Sequence, residues 1–370
     1  MRSRLFPAAG GVAAGLALAL TVLTTQSAAA AGPAWQDVSP EDGAGTVLTK
    51  VESAGATTWA VGKVLRDGKN PEVPLAMRWN GRSWERSALP TDRGALADLS
   101  VSAPGQVWAA GTAVESTAEG NESARALLLR RAGSAWRTVS LPVPATATDS
   151  GLSALDTTAD GQIWAFGWYS DEQGGGNVLF HRDAAGTWST LPADTGLNWV
   201  DGFEAEPDGT LVATGDGVSR FDGHTWVEQA LPGENTILAG VEVRSARDIW
   251  AVGFHPDEEL WRRPAVLHFD GHTWRELPVP AETGQLYDVA FDGSGRPVIV
   301  GETQDAAVDE DGNYVLTRGR NGAFARTESP SGAGFLYGAA TDRTGKVWVV
   351  GGAAGAVDAV SPGAYAGLRG

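Results

Sequence analysis

One short phrase, an apolar run closed by glycine, recurs along almost the whole 370-residue chain. It reads Trp59-Ala60-Val61-Gly62, Trp108-Ala109-Ala110-Gly111, Trp164-Ala165-Phe166-Gly167, Trp250-Ala251-Val252-Gly253 and Trp348-Val349-Val350-Gly351. Two further copies lack the tryptophan: Val212-Ala213-Thr214-Gly215 and Val298-Ile299-Val300-Gly301. A second phrase follows, built as an apolar run, a turn and an aromatic residue. Its clear copies span 78–84, 220–226 and 268–274, and degenerate copies end at Trp136, Trp188 and Phe324. Most run on into Leu-Pro or Ser-Pro. A seventh copy, 34–40, stands before the first glycine phrase. The period is about 48 residues, which calls for one supersecondary unit stacked many times rather than a set of unrelated domains.

Each unit reads as four short strands. In 236–280, for example, 237–243 alternates around small residues, 248–253 and 265–269 are β-rich, Asp270-Gly271 begins a hairpin turn, and Pro278 ends the fourth strand. Sustained helical periodicity is absent. The expectation is an all-β, seven-bladed β-propeller of four-stranded antiparallel blades. The displaced copy predicts how the ring closes. The last blade has strands at 335–341 and 346–351, a third near 355–360, and an outer strand, 34–38, supplied by the N-terminal end. That pairing removes two open sheet edges.

The D-x-W-A-V-G pattern at 248–253 and W-N-G-x-S-W at 79–84 resemble the repeats of secreted bacterial β-propeller proteins of a kelch/Asp-box-like kind. The likeness covers essentially the whole chain after residue 32. It implies a propeller and assigns no activity, since members commonly lack an assigned function. Residues 222–226 and 270–274 are also similar to a shortened Asp-box of sialidase-type propellers. The S-x-D-x-G-x-T-W spacing is not met, so sialidase activity is not carried across.

Residues 1–31 read as a secretory signal peptide that is removed. Arg2 and Arg4 are followed by an apolar stretch at 12–23 and a small-residue segment around Ala28 to Ala31. That stretch is short of the roughly 20 residues that span a bilayer. Residues 32–370 are then a single propeller domain, secreted and extracellular, with no membrane span after cleavage, and expected to be a monomer.

Composition narrows the partners. With 28 Lys+Arg against 45 Asp+Glu the net charge is −17, the opposite of what a nucleic-acid-binding surface needs. There is no cysteine, hence no disulfide framework, no thiolate zinc site and none of the modified cysteine of kelch-type copper oxidases. Much of the supply of 49 Gly and 15 Trp is absorbed by the repeat, as turns and as wedge filling between blades. A basic residue recurs before the last turn of six units (Arg78, Arg130, His181, Arg220, His268, Arg318), which points to local cross-strand pairing. His224 and His272 are likewise repeat features.

Function is expected where loops are long. The connections 63–73, 112–125, 168–177, 254–264 and 302–313 share one face with the blade-to-blade links, and they are rich in Asp and Glu. The ligand-binding candidates there are Trp168, Tyr169, Asp257, Glu258, Glu259 and Trp261, with Trp199, Tyr287 and Tyr337 near the channel mouth. Aromatic rings beside carboxylates suit sugars or cations. Weak catalytic candidates are Asp201 and Asp288, on first strands near the channel, as is Asp98. Asp309, Asp311 and Asn313 form part of a calcium-loop pattern; no other cofactor is expected. The expected function is a secreted, non-catalytic binding or interaction module using its acidic long-loop face for a glycan, a peptide or protein, or a cation. The alternative is an extracellular carbohydrate-active enzyme, a glycoside hydrolase or polysaccharide lyase.

Overall fold

Strands that are apolar on both faces need a neighbour on each side, and a ring of stacked sheets supplies one to every blade. A computed structural model of the chain describes residues 34–370 apart from 42–44, 67–68, 104, 117–119, 192, 207, 234, 257–261, 281–282, 306–309, 328–329 and 355–362. The described residues form seven four-stranded antiparallel sheets and no helix. The expected leader at 1–31 lies outside them. The first strands of blades one to seven are Thr46–Ala54, Gly94–Ala103, Asp149–Thr157, Val200–Ala205, Ile237–Ser245, Gly284–Phe291 and Ala333–Thr341.

The seven-bladed reading is correct, and so is the closure of the ring. Gln36–Asp37 pairs with Ala364–Arg369, completing the blade that begins at Ala333. The Val38 amide donates to the Ala366 carbonyl at 2.9 Å, and the Ala366 amide donates to Ser39 Oγ at 3.1 Å. One expectation needs correction. The third strand of this blade is Ala364–Arg369, which holds register with Val347–Ala353; 355–360, the expected place, lies outside the described residues. The long connections also differ from irregular loops. In blade two the ladder runs from Trp108↔Arg130 out to Ser116↔Glu122, so the hairpin itself projects. Trp168 and Tyr169 likewise lie on a strand, Ile163–Ser170.

Seven hydrophobic clusters fill the wedges, each spanning two adjacent blades. The repeated tryptophans belong to them. Trp59 is 2% exposed and meets Trp136 of the next blade edge-on at 5.4 Å, while Trp348 of blade seven meets Trp79 and Trp84 of blade one. Each such ring contributes about 5 kcal/mol by area buried. The recurring basic residues lie across the sheet from them: His181 stacks on Trp164 at 3.9 Å and Arg130 sits over Trp108.

The glycine of each phrase has a steric cause. In all seven blades the first two strands slip register at the same place, by a bulge between Leu48/Lys50, Leu96/Asp98, Leu152/Ala154, Val200/Gly202, Leu238/Gly240, Leu286/Asp288 and Leu336/Gly338. The glycine stands opposite the residue before the bulge. A Cβ on Gly253 would come 1.9 Å from the Ile237 carbonyl oxygen. Only glycine lets the backbones approach that closely.

Removing residues 34–40 should lower stability by about 3 kcal/mol or more, through lost ladder hydrogen bonds and exposed Trp35 packing, and should open an edge to association. Thermal melting with size-exclusion chromatography checks this; an unchanged melting temperature and elution volume would contradict the closure.

Candidate functional site

The bulge decides what faces the central channel. It turns two successive residues inward, and the pleat adds a third two positions on. Blade one thus presents Thr49, Lys50 and Glu52; blade two, Ala97, Asp98 and Ser100; blade four, Asp201, Gly202 and Glu204. With Asp156, Glu242 and Asp288 from the other blades, Lys50 faces six carboxyl groups lining the strand interior, Asp201 adds a seventh at the mouth, and the second lysine of the lining, Lys63, is paired with Glu72. The cavity is about 580 Å³.

Four of these carboxylates clamp one blade to the next. Asp98 accepts from its own neighbour Leu99 at 2.8 Å and from Leu155 of blade three at 2.7 Å. Asp156 accepts from Thr157 and, at 2.8 Å, from Ala205 of blade four. Glu204 accepts from Val243 of blade five. Asp288 accepts from Val289 at 2.9 Å and from Ala339 of blade seven at 3.0 Å. Thr49 does the same work between blades one and two, donating to the Leu96 carbonyl at 3.1 Å. Lys50 reaches Asp288 at 3.1 Å and so braces blade one against blade six.

The electrostatics follow from crowding carboxyl groups in a narrow channel. Burial pushes Asp98 up to about 6, against the pull of Lys50 and two amides. Burial and the Asp288 charge push Glu242 up to about 7. Glu52 and Glu204 lie well above the ordinary range, with burial again the leading cause. Burial alone would lower Lys50, but Asp288, Asp98 and Glu52 outweigh it and hold the ammonium protonated. Channel water softens these effects, since the Lys50 side chain keeps 27% of its exposure.

The mouth holds the aromatic groups. Tyr287 and Tyr337 meet edge-to-face at 4.8 Å, and Phe335 packs on Tyr337 at 5.0 Å. Tyr287 is tied through Gln285 to Glu302, which pairs with Arg262. Trp199 is 41% exposed, and its indole N–H donates to Asp201 at 3.1 Å. Burial raises the Asp201 carboxyl despite that bond. The wall beside it is low: blade four joins its second and third strands, Leu211–Gly215 and Val218–Phe221, through Asp216-Gly217 alone.

Of the candidates read from the sequence, Asp201, Asp288, Tyr287 and Tyr337 therefore line one cavity, with Trp199 beside it. Trp168, 39% exposed, and Tyr169, packed on the cluster between blades two and three, lie on blade three away from that lining. Asp257, Glu258, Glu259, Trp261 and Asp309 lie outside the described residues. Asp311 is described only as a strand residue opposite Gln304. Asn313 donates its amide to the Ala333 carbonyl at 2.7 Å, linking blades six and seven. Among the described residues no group of three His, Asp or Glu side chains is arranged to hold a metal ion. Several hairpin acids are also paired with arginine: Glu122 with Arg93, Glu115 with Arg125, Glu302 with Arg262.

Sequence reasoning missed Lys50, Glu52, Asp156, Glu204 and Glu242. Their signal is visible once the first strands are stacked on the bulge: Leu48-Thr49-Lys50-Val51-Glu52, Leu152-Ser153-Ala154-Leu155-Asp156, Val200-Asp201-Gly202-Phe203-Glu204 and Leu238-Ala239-Gly240-Val241-Glu242. A polar residue recurs where a core-facing strand would be apolar.

No protein-family model matches the sequence, and comparison with curated proteins gives no match either. Solved structures share the fold. Virginiamycin B lyase from Staphylococcus aureus is 12% identical with a TM-score of 0.60, covering 90% of this chain and 98% of its own. The WD40 propeller domain of Doa1 is 12% identical (TM-score 0.57, 90% and 96% covered), and YCF48 from Cyanidioschyzon merolae 13% (0.55, 91% and 99%). At these identities the likeness concerns the seven-bladed ring.

Two predictions follow from the channel. A carboxyl held above its unfolded value binds its proton more tightly in the folded chain, so its contribution is full below the unfolded pKa and is lost as pH rises through the folded one. For Asp98 and Glu242 that window runs from about 4 to about 7. Turn aspartates act oppositely: the amides of Thr225 and Thr273 hold Asp222 and Asp270 low, so their contribution is lost as pH falls through those values. Thermal melting across pH should peak at about 5 and decline toward 8. Lys50→Met should cost about 3 kcal/mol at pH 8 and less at pH 5, below the values of Asp98 and Glu242 that face it; denaturant unfolding at both values measures the difference.

Proposed function

We propose that the protein is a secreted, non-catalytic binding module that takes a cationic group of an extracellular ligand into the acidic mouth of its central channel. The observation that carries this reading is the composition of one cavity. Two lysines, Lys50 tied to Asp288 and Lys63 tied to Glu72, stand against six carboxyl groups, beneath a mouth bearing Asp201, the Tyr287–Tyr337 pair and the nearby Trp199 ring. Such a site attracts an ammonium or guanidinium group by its field and receives it against aromatic faces. The ligand is a glycan bearing amino groups, a basic peptide or protein segment, or a small cation. The leader-like residues 1–31 and the repeat phrases support an extracellular protein related to the kelch/Asp-box-like secreted propellers. The closed ring supports a monomer.

A glycoside hydrolase of the common kind needs a pair of free acid groups at the reacting bond, and a lyase or a hydrolase of another kind needs a Tyr or His acting as base or nucleophile. Asp288 is committed to two backbone amides and Lys50, and Glu52 and Glu242 lie further down the channel, which leaves Asp201 as the carboxyl with a raised pKa at the mouth. That favours binding over turnover.

Calorimetry with glucosamine oligosaccharides, their N-acetylated counterparts and lysine-rich peptides tests the reading. One cationic series should bind, and Asp201→Asn or Tyr337→Ala should weaken it about tenfold, as expected for loss of one charged or aromatic contact. Equal binding of neutral counterparts, or release of reducing sugar that Asp201→Asn abolishes, would overturn it.

A further inference from the structure

A second cavity, about 560 Å³, lies between blades five and six on the face of the short turns, opposite the long hairpins. It is lined by Arg244, Arg247, Arg296, Arg318 and Arg320, five of the chain's 28 basic residues. They come from three separate turns: the first turn of blade five, and the first and last turns of blade six. The fold does not require this. The corresponding groove on blade four offers Arg220 alone, beside Asp208 and Asp222.

The acids in the groove are already spent. Asp248 accepts from the Trp250 indole at 2.8 Å, from His268 at 2.9 Å and from Arg244 at 3.1 Å. Asp270 is paired with Arg275 at 2.9 Å. Arg296 forks onto Asp292, with two nitrogens at 2.9 and 3.2 Å from one oxygen. Arg247, Arg318 and Arg320 have no carboxylate partner among the described residues. Two of the guanidinium groups are held by aromatic rings: Arg244 lies 4.4 Å from the Phe291 centroid and Arg318 lies 5.6 Å from that of Trp250. Arg318 is fixed further by its bond to the Gly322 carbonyl at 2.8 Å. Ring stacking and that bond leave less rotamer freedom to lose on binding than a free surface arginine has.

We propose that this groove binds an anionic ligand carrying several phosphate or sulfate ester groups. Three guanidinium groups without a carboxylate partner, one from blade five and two from the last turn of blade six, suit several tetrahedral oxyanions along one molecule better than a single small ion, because each planar fork can take two oxygens of one group. The chain's overall negative charge does not forbid this. At physiological salt the field of the channel is screened over about 8 Å, while contact pairs in a groove are screened much less. The protein then has two faces of opposite preference, a cation-accepting channel mouth and an oxyanion-accepting groove behind it.

Calorimetry of the full chain at low salt with tripolyphosphate, a persulfated oligosaccharide and inorganic phosphate tests the proposal. At least one polyanion should bind about tenfold more tightly than inorganic phosphate, and the preferred one identifies the ester. The exposed double substitution Arg247→Ala/Arg320→Ala should weaken it about tenfold without moving the melting temperature. Arg247→Lys/Arg320→Lys should weaken it less, since charge is kept and the fork is lost. No binding of either polyanion, unchanged affinity in the alanine pair, or an equal loss in the distant control Arg82→Ala/Arg137→Ala would overturn it.

Discussion

The contact that organises this molecule is the near-touch between a glycine on each second strand and the carbonyl opposite it on the first. It permits a bulge at one fixed place in all seven blades. The bulge turns extra side chains of each first strand toward the ring axis, and there they can reach the neighbouring blade. Blade contact is therefore of two kinds. Around the outside, apolar wedges built on the tryptophans hold blades together without direction. Along the axis, carboxylates accept specific backbone amides and set the alignment of one blade on the next.

That inner ring explains how a strongly acidic chain can concentrate charge at its centre. Asp98, Asp156, Glu204 and Asp288 each gain a backbone donor from the next blade, and these bonds offset part of the cost of crowding. Lys50 supplies the cation that reaches one of these clamps, Asp288. The remaining penalty appears as raised pKa values. The clamps draw on residues of the strand interior, and the mouth groups Asp201, Trp199, Tyr287 and Tyr337 are not among them.

Charge is distributed unevenly between the two faces. Several acids on the long hairpins are matched by arginine, while a separate group of acids lines the channel. On the opposite face the arginines of blades five and six gather where the acids beside them already have partners. Net charge summed along a chain conceals both facts, because it records no neighbours.

The repeat alone determined the seven blades, the four strands in each and the N-terminal strand that closes the ring. A period of glycines, tryptophans and turn residues is a local pattern, and each local choice agrees with the same global fold. It misplaced the last third strand, since that segment carries neither phrase, and it treated projecting hairpins as loops, because polar residues can sustain a ladder beyond the core. The channel ring and the arginine groove were decided only by tertiary structure. Glu52, Asp156, Glu204 and Glu242 stand far apart in the chain, as do Arg247 and Arg320 from each other, and it is the curvature of the closed ring that brings them into one field.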